Sequence, residues 1–171
     1  MEDPKKAKAI VILAIDPGTR FCGYAIAAQT GNHTGVCAHG CLIFKAQKPL
    51  PERLLEFHDA IETLIKEWHI DKIAIETPFL GKNAQNFLKL GYLRGIIYLL
   101  AQRHRVFIEE FTPRSVKQQI AGFGGASKEQ VACMVHTLLP RLGPQVLRED
   151  ETDALAIALC CLWKNRIQSA L

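Results

Sequence analysis

The run AIVILAID at residues 9–16 restricts the fold more than any other stretch of the chain. Seven consecutive apolar residues lead to Asp16, and a Pro-Gly turn signal follows. A half-exposed strand would carry a polar residue at every second position. This one carries none, so both of its faces need cover. Such a strand belongs inside a sheet with helices packed on either side.

The remaining periodicities agree. CGYAIAAQ and GVCAHGCLIFK read as two more strands, and the Gly31-Asn32 pair between them predicts an antiparallel connection. From residue 51 to 68 the period changes. Leu54, Phe57, Ile61, Leu64, Ile65 and Trp68 fall at helical spacing, and Pro51 suits a first helical turn. DKIAIE is a short strand ending in Glu76, residues 83–104 are a long helical pattern, and RVFIEEF is another short strand. Thr112 before Pro113 predicts a helix start, and so does Ser127 with Gln130 three residues on. A last helix is expected from near Thr152. The order is β-β-β-α-β-α-β-α-α-α, with no linker or repeat. It predicts one α/β domain with a mixed sheet over residues 1–171, entered from a polar tail at residues 1–8.

Composition narrows the function classes. No apolar run is long enough to span a bilayer, and Asp16 interrupts the only run that follows N-terminal basic residues. A cytoplasmic protein with no membrane role is expected. The net charge of +4, from 21 basic and 17 acidic residues, permits a polyanionic partner without demanding one. Six cysteines form no C-x-x-C pair, and no His stands at zinc-finger spacing, so they read as reduced packing thiols.

The chemistry lies in the carboxylates. Asp16 and Glu76 end two apolar strands. Asp150 and Asp153, three apart, head an apolar helix whose Leu155, Ile157 and Leu159 would dock it on the sheet. Taken singly, each acid has a plainer role. Asp16 suits a turn, Glu76 an exposed strand end, and Asp150 and Asp153 a cap and a dipole partner. Together they sit at element ends that can converge, and four converging carboxylates stay ionised only when cations neutralise them. All-oxygen donors suit hard ions such as Mg²⁺ or Mn²⁺. Two such ions roughly 3.5–4 Å apart are suited to phosphodiester hydrolysis. Phosphates approach an acidic site only past basic residues. Candidates are Lys82, Lys89, Arg94, Arg114, Lys117 and Lys128, each of which is otherwise a solvated surface residue. Phe79, in the loop after Glu76, can stack on a base or pack beneath the loop.

Four blocks, IDPGTRFCGYAI, IETPFLGKNAQNFLKLGYLRG, VKQQIAGFGGASKEQV and DETDALAIA, together resemble the RuvC family of Holliday-junction resolvases, in order, over residues 12–162. The resemblance implies an RNase H-like fold, a five-stranded mixed sheet flanked by helices. It implies a homodimer that cuts four-way DNA junctions in pairs, with two Mg²⁺ ions per active site or Mn²⁺ in their place. It assigns the catalytic and metal-holding roles to Asp16, Glu76, Asp150 and Asp153. It gives backbone contacts to Lys117 and Lys128, and a place at the junction centre to Phe79. The RuvA-RuvB branch-migration complex is the implied partner. Glu149 competes with Asp150 for register, because it stands one helical turn from Asp153. Rival readings are an RNA nuclease of the related YqgF type, an actin-like ATPase suggested by IDPGT, and a non-catalytic junction binder. The ATPase needs far more chain, and a pure binder gains nothing from acids that face phosphates.

Overall fold

In the computed structural model, β1 (Ile10–Asp16) is the third of five strands, the interior position its unbroken apolar run demands. The structure describes residues 9–31, 33–78, 84–142 and 147–169. The polar segment 1–8, Phe79 and Lys82 lie outside the described residues. β2 (Phe21–Thr30) and β3 (His33–Ile43) complete an antiparallel meander. Then come α1 (Leu50–Glu67), β4 (Lys72–Glu76), α2 (Ala84–His104), β5 (Phe107–Phe111), α3 (Pro113–Ala121), α4 (Lys128–Leu138), a 3-10 turn (Pro140–Leu142) and α5 (Glu149–Ser169). The sheet order is β3-β2-β1-β4-β5, with β1, β4 and β5 parallel. This is the mixed, helix-flanked sheet expected of an RNase H-like fold. No described helix is long and apolar enough to cross a membrane.

The two-residue period of β1 divides the core. Leu13 and Ile15 pack with Phe57, Ile61 and Ile65 of α1 and Leu93, Ile97 and Leu100 of α2. Ile12 and Ala14 face the opposite layer of α3, α4 and α5. On that second face the sheet is paved with small residues, Ala14, Ala25, Ala27 and Ala74, all buried. α5 answers with Ala154, Ala156 and Ala158. Small side chains on both surfaces let the helix lie close against the strands, and residues 154–162 are all buried.

The helix starts obey local chemistry. Thr112 Oγ1 accepts from Ser115 N at 3.1 Å, and Ser127 and Gln130 form a reciprocal capping box. Gly122, at φ 85°, closes α3 in the left-handed conformation that glycine tolerates. One boundary departs from expectation. α5 begins at Glu149, not near Thr152. The Arg148 carbonyl accepts from Thr152 N, and Glu151 Oε2 accepts from Arg148 N, both at 3.1 Å. The acidic triplet 149–151 is therefore a first helical turn, where negative charge meets the positive end of the helix dipole.

Candidate active site

The side chains of β1 and β4 are in step, because Ile15 lies beside Ile75 in the parallel pairing. Ala14 and Ala74 face α5, so the two-residue period sends Asp16 and Glu76 to the same face one step further on. Both acids thus leave the carboxyl ends of adjacent strands beneath the start of α5. Gly23 on β2, paired with Asp16, makes this possible. A Cβ at Gly23 would stand 1.8 Å from the Asp150 carbonyl oxygen. The bare backbone of Gly23 is the seat on which the first turn of α5 rests.

These elements enclose a pocket of about 300 Å³. Asp16, Glu76 and Asp153 supply its acids, Lys117 and Lys128 its cations, and Val116, Val131 and Ala156 its apolar wall. Burial pushes Asp16 up to about 7, and the charges of Asp153, Asp150 and Glu76 add to that rise against a smaller opposing pull from Lys128. Glu76 is raised to about 7 by burial and Asp153, opposed by Lys128 and Lys117. Asp153 is raised by burial. Acids brought together out of water in this way hold protons unless a cation takes their place.

Lys128 is the counter-charge the chain itself provides. It pairs with Glu149 and lies 3.6 Å from Asp153 Oδ2. Among the described residues no three His, Cys, Asp or Glu side chains close on a common point as a preformed metal cage. The donor set nonetheless suits a hard divalent ion, with oxygen donors only, desolvated and mutually repelling. Asp16, Glu76 and Asp153 are the pocket residues that would supply those oxygens. The thiols nearby are unsuited to metal. All six cysteines are free, and burial pushes Cys160 and Cys161 up to about 12.

Other expected site residues fall elsewhere. Asp150 does not line the pocket. It borders a neighbouring groove with Arg20 and Lys89, although its charge still reaches Asp16. Arg114 is exposed on α3 and packs over Gly124, whose Cβ would meet its Cγ at 2.6 Å. Arg94 is not a DNA-facing residue. It is 8% exposed, donates from Nη1 to the Glu76 carbonyl at 2.8 Å, and donates from Nη2 to Tyr98 Oη and Glu110 Oε2 at 2.6 Å each. It anchors the end of β4. Its spacing carried a signal, since Arg94 stands four residues after Leu90 and three before Ile97, inside the apolar stripe of α2. Gly23 also had one, because it continues the small-residue series of Ala25 and Ala27.

The family model described as crossover junction endodeoxyribonuclease RuvC matches residues 12–161. The chain is 37% identical to a crossover junction endodeoxyribonuclease RuvC of Granulibacter bethesdensis over 167 residues, covering 98% of this chain and 93% of that one. It is 39% identical over 156 residues to the RuvC of Pelodictyon phaeoclathratiforme, covering 91% and 81%. Among solved structures it is similar to Thermus thermophilus RuvC in complex with Holliday junction substrate, with a TM-score of 0.83, 28% identity and coverage of 93% and 96%. With fold, sequence and strand-end carboxylates in agreement, the chain belongs to the RuvC family of crossover junction endodeoxyribonucleases.

Proposed function

We propose that this chain resolves four-way DNA junctions by metal-dependent hydrolysis of phosphodiesters, as a homodimer in the cytoplasm. The observation that carries the reading is the gathering of Asp16, Glu76 and Asp153 in one pocket with Lys117 and Lys128 on its walls. Asp16, Glu76 and Asp153 would hold two Mg²⁺ ions, or Mn²⁺, while Asp150, on the other side of the same turn of α5, adds its negative charge from the neighbouring groove. When bound, the ions supply an activated water and charge stabilisation for the leaving oxygen.

The chain's own groups do the rest. Lys117 and Lys128 draw the scissile phosphate toward acids that would otherwise repel it. Lys128 exchanges Glu149 for phosphate as DNA arrives. Val116, Val131 and Ala156 keep the pocket poorly solvated, which strengthens each charge interaction inside it. The exposed strip of α2 is the dimer face. Leu88, Tyr92 and Leu99 are exposed there, and among the described residues nothing stands within 4 Å of a Cβ built on Gly91 or Gly95. No described residue packs against either glycine. Phe79 and Lys82 follow Glu76 closely in sequence and are assigned to the junction centre and its phosphates. Coupling to the RuvA-RuvB branch-migration complex completes the reading.

The test is a purified sample incubated with a labelled four-way junction, linear duplex and structured RNA, each with and without Mg²⁺. Paired, symmetric cuts in the junction alone, and only with the ion, are expected. Preferential cutting of RNA would instead identify the YqgF type, and binding without cutting would identify a non-catalytic module.

A further inference from the structure

A second groove, of about 360 Å³, lies on the other side of the first turn of α5 from the acidic pocket. Asp153 lines the pocket and Asp150 lines the groove, so this single helical turn divides them. The groove walls are the loop from Gly18 to Phe21, which follows directly from Asp16, and the start of α2 at Asn86, Lys89 and Leu90.

Two features of the groove remain unexplained by the fold. First, its cations are not neutralised. Lys128 in the acidic pocket is engaged by Glu149 and Asp153, whereas Arg20 and Lys89 of the groove, and Arg148 beside it over the Phe21 ring, form no ion pair among the described residues. Second, like charges are gathered there. The guanidinium of Arg148 lies 4.3 Å from the centroid of the Phe21 ring and that of Arg20 lies 5.5 Å from it. One aromatic ring thus carries two cations, each within reach of its negative face. Asp150 sets a single negative charge in the groove against these cations, and a bound polyanion would balance the excess.

The loop is also built to present this charge. Arg53 Nη1 donates to the Thr19 carbonyl and Phe44 N donates to the Arg20 carbonyl, both at 2.9 Å. A Cβ at Gly18 would stand 2.1 Å from the Phe21 carbonyl oxygen, so the turn closes only on glycine. Backbone acceptors are thereby tied inward to α1 and the segment after β3, while Arg20 is left exposed.

We propose that this groove is a second phosphate track, in which Arg20, Lys89 and Arg148 hold the backbone of a DNA strand that continues past the acidic pocket. The proposal rests on the junction-cleaving reading and extends it. A strand that enters between Lys117 and Lys128 and presents one phosphate to the acids has a continuous route onward across the first turn of α5, which separates the pocket from the groove. The groove is the next surface it meets, and its cations offset the repulsion of Asp150.

The test measures binding of the full chain to a synthetic four-way DNA junction in a chelator, across a salt series. The variants are Arg20→Ala, Lys89→Ala, their double, the charge-keeping pair Arg20→Lys with Lys89→Arg, and Lys66→Ala as an equal-charge control at the far end of the sheet. Each lost contact is expected to flatten the slope of log K against log salt by about 0.9, and the double by about 1.8. The charge-keeping pair retains the wild-type slope, and so does Lys66→Ala. A double variant with the wild-type slope, or a loss matched by Lys66→Ala, overturns the track. A wild-type protein that binds no junction at all overturns the junction reading itself, which separates the two failures.

Discussion

Asp16 is held in a conflict that its sequence neighbours cannot relieve. It is half-buried, and desolvation together with three other acids acting across the fold raises its carboxyl to about 7. On the proposed metal-dependent reading, replacement of Asp16 by Asn removes a metal-holding oxygen. Junction cleavage is expected to fall about a thousandfold, the equivalent of ~4 kcal/mol in the barrier. Junction binding should persist, because the cations hold DNA. A variant that cuts at the wild-type rate with Mg²⁺ would remove Asp16 from the site.

The same conflict has a pH signature. The carboxyls of Asp16 and Glu76 have folded values of about 7, above their ordinary values of 3.8 and 4.5. The folded state therefore binds more protons than the unfolded chain between those limits. Stability of the metal-free protein should rise as pH falls from about 8 through 7 toward 4.5, and be lost as pH rises through 7. Other groups titrate over this range, so the measurement is the difference in Tm between wild type and Glu76→Gln. That difference should widen, in favour of the variant, from pH 5 to pH 8. Saturating Mg²⁺ at pH 8 should narrow it, since an ion bound only to the folded state stabilises it. A gap that stays constant with pH would show that Glu76 is not held against like charge.

At the scale of elements, the site depends on how closely α5 lies on the sheet. A methyl at Gly23 would collide with the Asp150 carbonyl, which is backbone and cannot rotate away. Gly23→Ala is expected to cost about 1–3 kcal/mol, the usual range for overpacking, and to lift the first turn of α5 with Asp153. Cleavage should therefore drop by far more than the fraction of unfolded protein accounts for, as read by thermal melts and rates on one sample. Wild-type rates in a folded variant would mean that α5 need not rest on β2. On the opposite face, Arg94 ties α2 to β4 and β5 through Glu76, Tyr98 and Glu110. Arg94→Lys keeps one charge but loses the fork that reaches three acceptors. Turnover is expected to fall at least about tenfold with junction affinity unchanged, because a misplaced group costs rate before it costs binding. Equal losses in turnover and affinity would place Arg94 on the DNA instead.

Across the whole molecule, one acidic pocket per chain must serve a junction that needs two cuts. Two-fold symmetry supplies the second site when the same surface of each copy forms the contact. The strip of Leu88, Tyr92 and Leu99 beside Gly91 and Gly95 is suited to that contact. Leu88→Glu with Leu99→Glu should convert a dimer to a monomer in sedimentation and turn paired cuts into single nicks on a junction carried by supercoiled DNA. A wild-type protein that sediments as a monomer, even with DNA bound, would end the dimer model.

Much of this was legible along the chain because it depends on near neighbours. Hydrophobic period separates strand from helix within a few residues, and the caps at Thr112 and Ser127 act over three. Asp16 and Glu76 could be placed at strand ends for the same reason, and parallel pairing of their strands brought them side by side. Other features depended on groups far apart in sequence. Lys128 meets Glu149 across 21 residues, Arg94 reaches Glu110 across 16, and the seat for Asp150 is a glycine on β2. The acidic triplet 149–151 was ambiguous between loop and helix until α5 docked on the sheet and gave its first turn a place. Residue type and local period determined which groups this protein carries and on which elements. Only the packing of α5 and α2 on opposite faces of the sheet decided which of them share a pocket, because charges act through space and the chain brings them together only when folded.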